Sequence, residues 1–303
     1  MIRSLPAPPR RGIALVLMVI APMLWSIAGV FTRHVTHAAG FELVFWRSLF
    51  AGLLVAAALG LWQGRDAFRS VAAAGLPGLV SGAMWAAMFT AFMLALTLTS
   101  TARVLVAQSV SPLITALAAW WFLREPVSRA TWIAILVACS GMAAMFQQGL
   151  AGGEPGALAG TLVALCVPLV AAVNVVVLRR SGGQIDLVPA VMTGAFLSAL
   201  VSLPLALPLQ ADARDIGILA VLGVFQLGIP CILYVIASRS LSAPELALLA
   251  LIEVLLGPLW AWWGANEIPG GGTLAGGALV LVALAGNQIA GMRRGAGPDD
   301  AAR

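Results

Sequence analysis

"AWWFLRE" occupies residues 119–125 and "AWWGANE" residues 261–267, so Ala, Trp, Trp and Glu recur at the same spacing 142 positions apart. Thr131 and Thr273 coincide at that offset, and earlier in each half an offset of 146 pairs Pro22 with Pro168 and Arg33 with Arg179. A match that is weak at each site but ordered along the chain indicates an internal duplication. The surroundings say what is duplicated. Hydrophobic residues make up 61% of the chain and charged residues 10%, far from the quarter-charged balance of soluble domains. Apolar runs of about 20 residues, the length a helix needs to cross a bilayer, recur along nearly all of it. They begin near residues 13, 39, 71, 101, 130, 157, 187, 216, 242 and 272.

The expected fold is therefore all-α and integral to the membrane, with ten transmembrane helices in two five-helix repeats. Because five is odd, the second repeat crosses the membrane upside down relative to the first, which is the inverted-topology pattern of secondary transporters. The expected division is an N-terminal tail over 1–12, a first repeat over 13–149, a connection over 150–156, a second repeat over 157–292 and a C-terminal tail over 293–303. The first apolar run follows Arg10 and Arg11 like a signal peptide, but it is long and lacks a small-residue cleavage site, so an uncleaved helix is expected.

All seventeen basic side chains are arginines. With the N-terminus inside, thirteen fall in the tails and cytoplasmic connections, while only Arg33 and Arg214 fall outside. This asymmetry places both termini in the cytoplasm and marks topology, not a nucleic-acid surface. The absence of Lys excludes a Walker lysine and a Schiff base, and neither a zinc-protease motif nor a catalytic cluster is present. No enzyme activity, cofactor or metal is expected. Cys139, Cys166 and Cys231 each lie within an apolar run and are read as core-filling thiols.

In the third helix Trp85, Met88 and Phe92 share one face. The 142-residue offset carries Met84, Met88 and Phe92 onto Gln226, Pro230 and Tyr234 of the eighth helix. Gln108, Ser111 and Thr115 form a polar stripe in the fourth helix, and Ser111 corresponds to Glu253 in the ninth. The first helix offers Pro22, Trp25 and Gly29 on one face; the sixth offers Pro168 and Asn174. Trp25, Trp85, Met88, Phe92, Gln108, Ser111, Asn174, Gln226 and Tyr234 are the candidate cavity residues, with helix packing as the competing explanation. Trp120, Trp121, Trp262 and Trp263 are assigned to the membrane interface. Gly78 and Gly82 suggest close helix packing, and His34 and His37 a solvated connection.

Arg47 and Glu253 are the deepest charges, each costing about 2.5–3.5 kcal/mol at mid-bilayer unless paired, hydrated or neutralised. Arg47 has Glu42, five residues earlier, or a carbonyl or phosphate as possible partners. Glu253 has Arg47, Arg103 or a watery cavity. Its role is either proton coupling or structural.

The ten spans, the Trp-rich fourth and ninth helices ending in Glu125 and Glu267, and "FWRSLF" (45–50) in the second helix resemble the drug/metabolite transporter superfamily, EamA type. Within it the likeness suggested is to bacterial aromatic amino acid exporters. The sequence departs from many relatives at Ile252–Val254, where "IEV" replaces a Glu-Pro pair. The resemblance implies alternating access in a bacterial inner membrane, with a cavity made from helices one, three, four, six, eight and nine. The expected partners are a small-molecule substrate and the lipid bilayer, with no nucleic acid, and a monomer is compatible with the pattern. Export of aromatic or other large neutral amino acids, or of similar metabolites, is the expected function. Cationic drugs, nucleosides, other metabolites, import, or a non-transporting scaffold, channel or membrane enzyme are the alternatives.

Overall fold

The computed structural model describes residues 9–64, 75–124, 126–151, 156–180, 187–241 and 243–295. Glu125, the outer parts of both tails and residues 152–155 of the connection lie outside the described residues. Among the described residues there are helices and no strands. Helix is the form in which an apolar segment satisfies its own N–H and C=O groups without water.

Pro22 marks the interruption of the first span. Helix α1 (Arg11–Trp25) ends three residues after Pro22, and α2 (Ala28–Thr32) continues its course. Pro22 has no N–H and crowds the preceding turn. Ser26 repairs the break, donating its N–H to Pro22 O at 2.9 Å and its hydroxyl to Met23 O at 2.6 Å. Helices α3 (Phe41–Gln63) and α4 (Gly75–Leu98) run without a break. The next segment divides at Val110 into α5 (Thr101–Ser109) and α6 (Ser111–Ala118), then ends in a π-helical turn at Ala119–Leu123. Pro112 sits in the first turn of α6, where a missing N–H has no intrahelical partner to lose.

Helices α7 (Arg129–Ala151), α8 (Ala157–Arg180) and α9 (Leu187–Ala206) follow. Next, α10 (Ala213–Val221) widens into a π-helical stretch at Leu222–Gly228 before α11 (Ile229–Ala237). Pro230, lacking an N–H, stands just beyond that stretch. Helices α12 (Ala243–Ala265) and α13 (Gly271–Gly295) complete the described chain.

Among the described residues, seven helical stretches are long and apolar enough to cross a membrane: 11–32, 41–63, 75–98, 101–123, 157–177, 188–206 and 213–237. Arg129–Gly141, Leu249–Ala265 and Gly271–Asn287 are shorter apolar helices. The outer surface matches lipid in polarity, with Leu136, Leu200 and Val282 each more than 60% exposed. Trp121 and Trp263, near helix ends, are also exposed. This is a multi-pass membrane protein.

The packing comes in corresponding pairs. α4 lies on α8 as α11 lies on α1, and α4 crosses α9 as the π-helical stretch crosses α3. At the α4–α9 crossing a Cβ on Gly194 would sit 2.9 Å from Gly82 O, and one on Gly82 would sit 2.9 Å from Thr193 Cγ2. No side chain larger than hydrogen fits there, which is the role small residues play between membrane helices.

Two buried carboxylates tie the ends of the halves together by exchange. Glu42, at the start of α3, accepts from Gln210 N at 3.0 Å, Ala211 N at 2.8 Å and Trp46 Nε1 at 3.3 Å. Asp215, at the start of α10, accepts from Thr36 N at 3.0 Å, His37 N at 2.7 Å and Ala38 N at 2.9 Å. Each acid holds the loop ahead of the other's helix. Charge-assisted bonds to backbone amides are among the stronger ones a protein makes. They also correct one possibility raised by the sequence: Glu42 does not pair with Arg47.

Candidate functional site

Residues from both halves line a cavity of about 190 Å³. Trp25, Arg47, Trp85, Met88, Phe89, Phe92 and Gln108 line it from the first half; Val167, Gln226, Leu227, Cys231 and Glu253 line it from the second. The wall is mostly aromatic and aliphatic, with one cation, one carboxylate and two amides.

Arg47 reaches the cavity from α3 and is completely buried. Its Nη1 donates to Gln226 Oε1 at 3.0 Å and its Nη2 to Phe89 O at 2.9 Å, while the guanidinium carbon lies 5.5 Å from the centre of the Phe92 ring. The bond to Gln226 joins the halves. Two features of the eighth segment permit it. A Cβ on Gly223 would lie 2.6 Å from Arg47 O and 2.6 Å from Phe50 Cβ, so only glycine allows this backbone so close to α3. The π-helical stretch then carries Gln226 toward the guanidinium, and such local widening of a helix is frequent at functional sites.

Glu253 faces the same cavity from α12 and makes no hydrogen bond or ion pair with a described residue. The pairings with Arg47 and Arg103 considered from sequence are not formed: Arg47 uses Gln226 and Phe89. Cys231 is buried against the cavity wall, while Cys139 and Cys166 are exposed on the outer surface.

Of the candidates drawn from sequence, Trp25, Arg47, Trp85, Met88, Phe92, Gln108, Gln226 and Glu253 meet at this cavity. Tyr234 packs against Trp25, with ring centres 5.7 Å apart, and does not line the wall. Ser111 starts α6 beyond the break at Val110, also off the wall. Asn174 is buried in α8, away from the lining. Phe89, Val167, Leu227 and Cys231 are lining residues that the sequence did not single out. Phe89 had a signal: it follows Trp85 by four residues and precedes Phe92 by three, and its ring centre lies 5.4 Å from that of Trp85.

The recurring Glu of the duplicated motif has a visible function in its second copy. Glu267 Oε2 accepts from Arg33 Nε at 3.0 Å and from Thr101 Oγ1 at 2.9 Å, and Oε1 accepts from Thr101 N. Arg33 Nη2 donates to Thr99 O at 2.7 Å. One carboxylate thus caps α5 and joins the end of α2 to the segment following α12. An acid here also meets the positive end of the α5 dipole. Glu267→Ala is expected to lower unfolding stability by about 2 kcal/mol, and Glu267→Gln, which keeps an acceptor, by about half as much. Thermal unfolding in detergent checks this; two variants as stable as the wild type would contradict it.

His37 and Asp212 are exposed and come close to buried Asp215, with ligand atoms within 4.8 Å of one another. Both Asp215 oxygens are engaged by backbone amides, so the group serves loop structure.

Comparison with known proteins agrees with this architecture. No curated protein matches the chain. A solved structure described only as "Crystal structure of protein" is similar, with a TM-score of 0.65 and 20% identity over 94% of this chain and 99% of that chain, which is a likeness of fold. The EamA-like transporter family model matches twice, over residues 12–147 and 158–287. These two matches coincide with the two halves that meet at the cavity, and the chain belongs to the EamA-like transporter family of the drug/metabolite transporter superfamily.

Proposed function

We propose that this protein is a secondary transporter that exports aromatic or other large neutral amino acids, or similar small metabolites, by alternating access across a bacterial inner membrane. On this account all ten apolar helices cross the bilayer, the second repeat is inverted relative to the first, and both termini are cytoplasmic. The corresponding helix contacts of the two halves and the arginine asymmetry support that topology.

The single observation that carries the substrate class is the composition of the cavity wall. Trp25, Trp85, Phe89, Phe92 and Met88 suit an apolar side chain, while one buried cation and one unpaired carboxylate suit a zwitterion better than a multiply charged anion. At about 190 Å³ the space is smaller than the roughly 300–1,000 Å³ of sites for drug-sized ligands, which favours a small metabolite over a bulky cationic drug. Glu253 is assigned to the transported substrate or a coupling proton, because it makes no hydrogen bond or ion pair with a described residue of another helix.

Counterflow in proteoliposomes against amino acids, nucleosides and cationic drugs tests the proposal. Saturable exchange of phenylalanine, tyrosine, tryptophan or leucine is expected. Exchange of a nucleoside or a drug with no response to any amino acid would refute the substrate class. Accumulation against a gradient distinguishes a coupled carrier from a channel.

A further inference from the structure

Three N–H donors on cavity-lining side chains lack any acceptor among the described residues: Arg47 Nε, Trp85 Nε1 and Gln108 Nε2. Buried donors are nearly always satisfied, and each one left open loses its bond to water without replacement. Of the eight buried side-chain atoms without a partner among the described residues, three belong to the lining of this one cavity. They belong to α3, α4 and α5, all in the first half, and one of them is part of a permanent cation. The opposite wall supplies the reverse chemistry. Glu253, on α12 of the second half, is an acceptor without a donor, while Gln226 Oε1 is already used by Arg47.

An acceptor carrying negative charge suits a guanidinium that pairs with no carboxylate among the described residues. It also needs more than one lone-pair direction to serve several donors. A carboxylate has both properties, with two oxygens and about four acceptor positions. We infer that the substrate's carboxylate docks on the donor set of Arg47, Trp85 and Gln108, with its ammonium group toward Glu253. A zwitterion would thus be held with fixed polarity between the halves, its side chain among the Trp25, Phe89 and Phe92 rings. This inference rests on the amino-acid transport proposed above, and it adds which half holds which end.

The test is direct binding to the purified protein, by calorimetry, of four compounds that share one apolar group: L-phenylalanine, its methyl ester, phenethylamine and 3-phenylpropionate. L-phenylalanine is expected to bind most tightly. The ester and the amine, which lack the carboxylate, are expected to bind at least about tenfold more weakly. Trp85→Phe and Gln108→Leu each remove one donor while keeping most of the packing. Each is expected to weaken L-phenylalanine and 3-phenylpropionate by about three- to tenfold, and the ester and the amine by clearly less.

An ester or amine that binds as tightly as the acid overturns the carboxylate subsite while leaving amino-acid transport standing. So does an equal loss for all four compounds in the variants. Binding of 3-phenylpropionate without L-phenylalanine, sensitive to Trp85→Phe, keeps the subsite and overturns the amino-acid reading. No binding by any of the four overturns both.

Discussion

Arg47→Leu is expected to reduce exchange by at least about a hundredfold while changing folding stability by less than about 2 kcal/mol. The two outcomes separate because opposing terms act on stability and only one acts on transport. Removing the guanidinium loses its bonds to Gln226 and Phe89 O and its contact with the Phe92 ring, and it leaves two acceptors exposed to the cavity. Charge-assisted hydrogen bonds contribute about 1.5–3 kcal/mol each, and a cation over an aromatic ring about 0.5–2 kcal/mol. Against this, the substitution removes a charge that is fully buried without a carboxylate partner among the described residues, whose desolvation costs several kcal/mol. The stability terms nearly cancel. Transport has no such compensation, because leucine supplies neither the positive charge nor the link across the halves. Arg47→Lys restores the charge but not the fork that reaches Gln226 and Phe89 O together, so partial recovery is expected. Melting temperature and initial exchange rate, measured on the same preparations, check the result. Strong destabilisation with normal residual exchange per folded molecule would make Arg47 a structural residue.

Glu253→Gln is the complementary case. The carboxylate makes no hydrogen bond or ion pair with a described residue, so the substitution should leave the melting temperature unchanged or raise it. Amino-acid exchange should fall at least about tenfold, and the rate should lose its dependence on pH if this group carries the coupling proton. A normal rate with a wild-type pH profile would move Glu253 out of the transport mechanism. The observation that sharpens this prediction is negative for the structural alternative: a residue that holds a bundle together should be seen holding something.

The contrast between these two charges shows what could be read from sequence. The depth of Arg47 and Glu253 follows from the length of the apolar runs around them, and Trp85, Met88 and Phe92 follow from helical spacing. The family match over 12–147 and 158–287 likewise agrees with a duplication first seen in two short motifs. Helix starts at Thr101, Ala157 and Leu187 coincide with the expected residues, because Gly- and Pro-containing or polar connections precede them.

Partner choice was not legible. Glu42 is the nearest acid to Arg47 along the chain, yet the structure gives Glu42 to amides at 210 and 211 and gives Arg47 to Gln226. The choice of Gln226 goes with the close approach of Gly223 to α3, a property of three-dimensional packing that no local pattern encodes. Tyr234 failed to reach the cavity wall for a related reason. Repeat alignment pairs it with Phe92, but its ring packs against Trp25 and it is not part of the lining. Val167, Leu227 and Cys231 carry no polar or aromatic mark that distinguishes cavity from core. Glu267 stood out by recurrence, although its bonds to Arg33 and Thr101 required the fold.

The central claim is that the cavity between the halves is where the substrate binds. Val167 lines it from the second half, has no polar group and takes no part in the contacts among Arg47, Gln226 and Glu253, so enlarging it fills the space with little change in charge. The direct measurement is equilibrium binding of labelled L-phenylalanine to the purified wild type and to Val167→Trp, with folding of both confirmed by thermal unfolding. One saturable site in the wild type and its loss in the folded variant are expected. Equal binding by both proteins would contradict the account.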